Sequence, residues 1–419
     1  MIAVGIEAMN TFAGTAFLDV TKLAQHRQLD MARFANLLML EKSVALPYED
    51  PITFGVNAAK PLVDALSPAE RDRIELVITC TESSFDFGKS MSTYMHHYLG
   101  LNRNCRLFEI KNACYSGIAG LQMAINFILS QASPGAKALV IATDISRFMV
   151  VQGQEASSME WSFAEPSGGA AAVAALVSEM PYVFQIDVGA NGYYGYEVMD
   201  TCRPVPDSEA GDADLSLLSY LDCAENAFLE YKKRVTGVDY AKSFDFLAFH
   251  TPFGGMVKGA HRNMMRKMVQ AKPADIELDF DRRVKPGLTH CQRIGNSMGA
   301  TTLLSLLSTI DNAPLTAAHR IGCFSYGSGC CSEFFSGVTT PAGQAKVRAL
   351  GIKNQLDRRH ELSMDDYEAL LRGSNAVKFG TRNVEPDASF VAAARKTLGK
   401  PVLFLKAIKE FHREYEWVS

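Results

Sequence analysis

The chain is 419 residues long, 47% hydrophobic and 21% charged, with a formal net charge of −4. That length suits two domains or one fold built from two similar halves, and the composition is globular rather than fibrous or disordered. The slight acidic excess excludes a global pull toward nucleic acid, and no apolar run reaches the length of a membrane span. The residues Met1 to Ile6 lack the basic flank of a signal peptide, so a cytoplasmic location is expected. Nine cysteines without a C-x-x-C pair predict reduced thiols. Neither His96-His97 nor Cys330-Cys331 has zinc-site spacing, and no metal is expected.

In chain order, residues 1–6 form a first strand and residues 19–40 follow a helical pattern. Glu49-Asp50-Pro51 is a turn into a helix at 53–66, and Ser67-Pro68-Ala69-Glu70 makes a capped turn. Residues 75–81 are β-branched or apolar nearly throughout, which predicts a buried strand ending at Glu82. Strand ends are where α/β proteins keep their chemistry. After a helix near 90–98, a strand at 106–110 and an apolar helix at 117–131 flank Lys111-Asn112-Ala113-Cys114-Tyr115-Ser116-Gly117. A thiol there meets unpaired N–H groups at the positive end of a helix, which favours thiolate and can stabilise an oxyanion. Further buried strands are expected at 137–143 and 168–176.

The second half repeats this order. A strand at 244–250 ends in His250, and Gly295-Asn296-Ser297-Met298-Gly299 opens an apolar helix reaching 310. Strands at 320–328 and 333–340 follow. The repetition predicts duplication about a pseudo-twofold axis, with residues 1–178 carrying Glu82 and Cys114 and residues 179–419 carrying His250 and Asn296. Residues 182–240, turn-rich at 207–214 and then helical, look inserted; the tail at 365–417 looks charged and mostly helical.

Several segments together resemble the 3-hydroxy-3-methylglutaryl (HMG)-CoA synthase family of the thiolase superfamily. They are Asn112-Ala113-Cys114-Tyr115-Ser116-Gly117, Ala142-Thr143-Asp144-Ile145-Ser146, Phe249-His250-Thr251-Pro252-Phe253, Gly295-Asn296 and Phe324-Ser325-Tyr326-Gly327-Ser328-Gly329. The resemblance implies an α/β, five-layered αβαβα fold and a homodimer. It implies Cys114 as nucleophile, Glu82 as general acid/base and His250 as the acceptor-binding histidine. Asn296, the Ser325 backbone and Tyr326 would serve substrate and oxyanion, with Asp144, Asp200 and Arg203 supporting. Within the family, the sequence is most similar to the branch that adds an acetyl-derived carbon to a β-keto group in polyketide assembly. Its partners would be donor and acceptor acyl carrier proteins, and its substrates would be linked to phosphopantetheine with no permanently bound cofactor.

Taken singly, Glu82 could cap a helix, His250 could be a hydrogen-bonded strand-end residue, Asn296 could cap the helix after it, and Gly168-Gly169 could only permit close packing. Members in primary metabolism commonly carry Tyr-Thr after the Gly-Asn pair and an aromatic pair after the aspartate matched by Asp200. Here Met298-Gly299 and Thr201-Cys202 stand in those places, which bears on the acceptor and not on the reaction. Lys258, Arg262 and Arg266 are spaced i, i+4, i+8 after His250, a stripe able to meet a phosphate and an acidic carrier helix or simply to be a solvated face. Arg33 is a further candidate for that surface. The alternatives are a mevalonate-pathway synthase using acetyl-CoA and acetoacetyl-CoA, a ketoacyl synthase of Cys-His-Asn type, and a non-catalytic scaffold subunit.

Overall fold

A computed structural model describes residues 2–146, 164–205, 208–373 and 376–419. Its strands are β1 (Gly5–Phe12), β2 (Ala16–Asp19), β3 (Glu41–Val44), β4 (Ile74–Cys80), β5 (Arg106–Ile110), β6 (Lys137–Ile145), β7 (Ala170–Ser178) and β8 (Phe184–Gly195), followed by β9 (Thr201–Val205), β10 (Ser208–Gly211), β11 (Phe246–Phe249), β12 (His319–Gly327), β13 (Cys331–Thr339), β14 (His360–Glu361), β15 (Val402–Lys409) and β16 (His412–Val418). Nine of them join in the order β11-β12-β13-β8-β1-β7-β6-β4-β5. Outward from the centre, β1-β7-β6-β4-β5 and β8-β13-β12-β11 repeat one plan. In both, the first two junctions are antiparallel and the next is parallel. The second half has no counterpart of β5 among the described residues; the Gly254–Met264 and Lys285–Ile294 helices occupy that stretch of sequence. The two sets pair at Gly5 with Gln185 and Ile6 with Phe184.

Alternate side chains of each strand enter different cores, because successive residues point to opposite faces. Leu139 and Ile141 of β6 face one cluster with the Pro51–Asp64 helix, whereas Ala138, Val140 and Ala142 face another. That second cluster also takes Ile118 and Leu121 from the Ser116–Leu129 helix, Leu303 and Leu307 from the Thr301–Asn312 helix, and Ile321 and Cys323 from β12. Phe324 and Tyr326 of β12 point the other way, to a cluster with Phe228 of the Ala213–Arg234 helix and Val257. Helix, sheet, paired central helices, sheet and helix are thus stacked in five αβαβα layers. Sheets covered on both faces explain the continuous apolar runs of the sequence.

Two expectations differ from the fold. The stretch 182–240, expected as an insertion, begins with β8, a full member of the sheet, and its Ala213–Arg234 helix covers β8 and β13 as the Pro51–Asp64 helix covers β1 and β7. Among the described residues there, the β9–β10 hairpin stands apart from the repeated plan; residues 206–207 lie outside the described residues, and with them the first residue of the turn-rich 207–214 run. The tail is not mostly helical: β15 and β16 pair as a hairpin, with Val402, Leu403, Phe404 and Leu405 buried against the Pro51–Asp64 layer. Charged residues on its outer face masked that apolar edge in the sequence.

Candidate active site

Cys114 lies between β5 and the Ser116–Leu129 helix, in a tight turn where Tyr115 N donates to Asn112 O (3.1 Å) and Ser116 N to Ala113 O (3.2 Å). Ala113 is held at φ 43°, a left-handed backbone that a non-glycine residue adopts at a cost of about 1–3 kcal/mol and that concentrates at functional sites. The second half delivers a matching turn. A Cβ on Gly117 would meet the Gly299 carbonyl at 2.1 Å, and one on Gly299 would meet Ser116 Oγ at 2.2 Å, so the two helix starts abut only because both positions lack side chains. Gly299 N also donates to Asp144 Oδ2 (2.9 Å).

Asp144, at the end of β6, is fully buried and gathers the first-half residues. Its Oδ1 accepts from Thr81 Oγ1 (2.8 Å), Glu82 N (2.8 Å), Ser83 N (3.0 Å) and Ser83 Oγ (2.6 Å). Burial and the charge of Glu82 push its carboxyl up to about 6, while the five donors, Gly299 N among them, favour the carboxylate. Asp144 is therefore read as a carboxylate, and it fixes the backbone from which Glu82 extends.

Glu82 Oε1 lies 3.8 Å from Cys114 Sγ, with the thiol as donor. Arg203 on β9 grips Glu82 twice, through Nη1 to its carbonyl (2.6 Å) and Nη2 to Oε1 (3.1 Å). Burial pushes the Glu82 carboxyl up, and Arg203 pulls it back. Burial and the charges of Glu82 and Asp144 also push the Cys114 thiol well up. This runs against the thiolate expected from the helix end: burial first, and then the two carboxylates, keep the resting sulfur protonated. Its proton has a recipient 3.8 Å away.

His250 follows β11 and is 1% exposed. Its N donates to Phe324 O (2.7 Å), and its carbonyl accepts from Tyr220 Oη (2.6 Å). The ring sits beside Tyr220 and Tyr326, and its Nδ1 is buried without a hydrogen-bond partner. Burial alone brings its pKa down to about 3, so the imidazole is neutral at working pH. Tyr326 on β12 donates to Asp200 Oδ2 (2.5 Å), and Asp200 Oδ1 accepts from Gly329 N (2.8 Å), which ties the ring to the β12–β13 turn. Ser325 is fully buried on β12, its Oγ accepting from Thr302 Oγ1 (3.2 Å). Asn296 Oδ1 accepts from Met298 N and Thr301 Oγ1, both at 3.0 Å, so its acceptor caps the helix start while its amide hydrogens are the atoms suited to a substrate. Its backbone joins the halves, with Asn296 N to Ser167 O and Gly169 N to Asn296 O, each 2.8 Å.

The basic stripe divides. Lys258 Nζ pairs with Glu277 at 2.7 Å and Arg262 with the same carboxylate at 3.6 Å, which makes both part of a solvated face. Arg266 is exposed in the π-helical turn Met265–Val269, where the i, i+4, i+8 line breaks. Arg33, exposed on the Met31–Phe34 helix, is brought near the same helix: a Cβ on Gly255 would strike Asn36 O at 1.9 Å. Two carboxylates escaped the sequence reading. Glu209 on β10 faces Arg203, hidden in a run that looked like a turn. Glu333 on β13 accepts from Tyr115 Oη (2.7 Å) and Gln122 Nε2 (2.9 Å), bracing the residue after Cys114, and burial brings it up to about 7. A lone charge inside an otherwise uncharged strand was the signal for it. Among the described residues, no cluster of His, Cys, Asp or Glu has a metal-binding arrangement.

The chain that carries these groups is similar to known proteins over its length. The family model for the hydroxymethylglutaryl-coenzyme A synthase N terminal matches residues 2–181, and that for the C terminal matches residues 261–417. The chain belongs to the HMG-CoA synthase family. Among its relatives, the polyketide biosynthesis 3-hydroxy-3-methylglutaryl-ACP synthase PksG of Bacillus subtilis is 67% identical over 420 residues, covering 100% of both chains. A hydroxymethylglutaryl-CoA synthase of Enterococcus faecalis is 33% identical over 372 residues, covering 88% of this chain and 91% of the relative. The crystal structure of the curacin biosynthetic pathway HMG synthase in complex with apo donor-ACP matches with a TM-score of 0.95 and 66% identity, over 99% of this chain and 100% of that one. MvaS in complex with 3-hydroxy-3-methylglutaryl coenzyme A matches at 0.85 with 28% identity, over 100% of this chain and 99% of the other.

Proposed function

We propose that this chain is the HMG synthase of polyketide β-branching, condensing an acetyl group from an acyl carrier protein with a β-ketoacyl thioester on another. The protonated Cys114 thiol beside Glu82 carries the chemical half of this reading. Full-length similarity to an HMG-ACP synthase supports the carrier half. As Cys114 attacks the acetyl thioester, Glu82 takes the thiol proton and passes it to the departing pantetheine sulfur, exchanging one thioester for another. Glu82, again a carboxylate, removes a methyl proton from acetyl-Cys114, and the carbanion equivalent adds to the acceptor ketone. The alkoxide takes the proton back from Glu82. His250 and the Asn296 amide donate hydrogen bonds to acceptor oxygens as charge develops, and the Ser325 N–H serves the thioester oxyanion. Water then releases the product from Cys114.

The molecule works as a homodimer in this reading, since β5 ends the nine-stranded sheet with an edge to pair and Phe108 on it is 38% exposed. The halves divide at 178/179, between β7 and β8. No helix among the described residues is long and apolar enough to cross a membrane, which fits partners that are diffusing carriers. The phosphopantetheine arm would enter past Arg33 and Arg266, the exposed cations of the expected surface.

Intact-mass spectrometry of the protein with acetyl-loaded carrier and, separately, with acetyl-CoA tests the reading, with Cys114→Ala as control. Rapid Cys114-dependent acetylation from the carrier and little from CoA is expected. Efficient loading from CoA would favour the mevalonate-type synthase, and no loading from either would leave a non-catalytic subunit.

A further inference from the structure

The β9–β10 hairpin is separate from the main sheet, yet it reaches the reacting groups through Arg203. Ala210 pairs with Cys202 and Ser208 with Val205, and the irregularity between these pairs sets Glu209 across from Arg203 and Pro204. Glu209 Oε2 is buried without a hydrogen-bond partner, which leaves its charge to be met by Arg203. Arg203, only 17% exposed, therefore lies between two carboxylates, and it hydrogen-bonds the one on Glu82.

A lone guanidinium in contact with Glu82 would favour its ionised form by about 1–3 pH units. That helps a base abstract nothing: the same group must take a proton from carbon and return it to an alkoxide, which requires an affinity for protons near working pH. We propose that Glu209 is a positioning residue that balances the charge of Arg203, so that the guanidinium orients Glu82 without locking it in the ionised state. This rests on the reading of Glu82 as the acid/base. Four elements present charged or titratable groups to Glu82: Cys114 from its turn, Asp144 from β6, Arg203 from β9 and Glu209 from β10. Burial pushes Glu82 up, Arg203 pulls it down and Glu209 pushes it up again; Glu209 itself is pushed up by burial and pulled down by Arg203.

The test follows deuterium entry from D2O buffer into the methyl group of acetyl-Cys114, loaded from an acetyl-pantetheine thioester, as a function of pH. Full-length wild type is compared with Glu209→Gln, Glu209→Ala and Glu209→Asp. In the Gln and Ala variants the midpoint of the acid limb should fall by about one pH unit, with a slower plateau because a weaker base remains. The Asp variant, which keeps the charge, should retain the wild-type midpoint. An unchanged midpoint in Gln and Ala, or an equal shift in Asp, would overturn the inference in favour of simple packing. A wild type that takes up acetyl but no deuterium would break the reading of Glu82 itself.

Discussion

At the end of β4, Glu82 is surrounded by Asp144, Arg203 and the Cys114 thiol, and a hydroxyl or backbone N–H fills nearly every acceptor position around Asp144. At the end of β11, His250 is enclosed by the rings of Tyr220 and Tyr326, with an unpaired Nδ1 and no charged neighbour shifting it. The two strands hold equivalent places in the repeated plan, and in the proposed reaction one strand end supplies the movable protons and the other a fixed dipole. Acid–base work needs competing charges that keep a carboxyl near its switching point, whereas a neutral donor needs only desolvation.

The comparison is broken most severely at Glu82. Glu82→Gln should lower condensation by up to about 10⁴-fold, the upper end of what general acid–base catalysis contributes, because one group serves two proton transfers; steady-state turnover measures it. His250→Ala should cost about 10²–10³-fold in condensation while Cys114 acetylation persists, because a hydrogen-bond donor to developing charge is lost. The histidine also sharpens the contrast through pH. The unfolded chain binds a proton at His250 below about pH 6.5 and the folded chain only near about 3, so stability falls as pH drops through that window. Urea titrations at several pH values should show a flatter dependence in His250→Ala.

Asp144→Asn tests whether the ionised hub belongs to the charged half. An Asn amide can accept at only one of the two oxygens and would set its own N–H groups against a donor, so unfolding free energy should fall by about 3 kcal/mol. Equal stability in urea would mean that Asp144 is already protonated. The smallest effect is expected at the surface: Arg266→Glu should slow acetylation from carrier several-fold and leave transfer from a pantetheine mimic unchanged. Equal loss with both donors would remove Arg266 from the carrier surface.

Strands such as β4, β6 and β7 were legible because burial on both faces leaves uninterrupted apolar runs; the end of β4 pointed to Glu82, whereas Asp144 was found only through the family resemblance. The repeated order of the second half anticipated β11 to β13 in the same way. β8 was not legible, since its Asp187, Asn191 and alternating exposed residues resemble a loop when the partner strands β13 and β1 are unknown. Glu209 was hidden for a similar reason: Ser, Glu, Ala and Gly signal a turn, and only pairing across the hairpin turns Glu209 toward Arg203. The state of Cys114 needed the fold as well. Local sequence shows a helix end behind it but neither the burial nor the two carboxylates that raise the thiol.

The division of labour stands or falls on where the methyl proton of acetyl-Cys114 goes. With Cys114 acetylated and the acceptor withheld, mass spectrometry of the active-site peptide after D2O exposure compares wild type, Glu82→Gln and His250→Ala. The account predicts deuterium in the acetyl methyl of wild type and His250→Ala and none in Glu82→Gln. Exchange that survives in Glu82→Gln but disappears in His250→Ala would contradict it, and would move the base to the neutral half of the site.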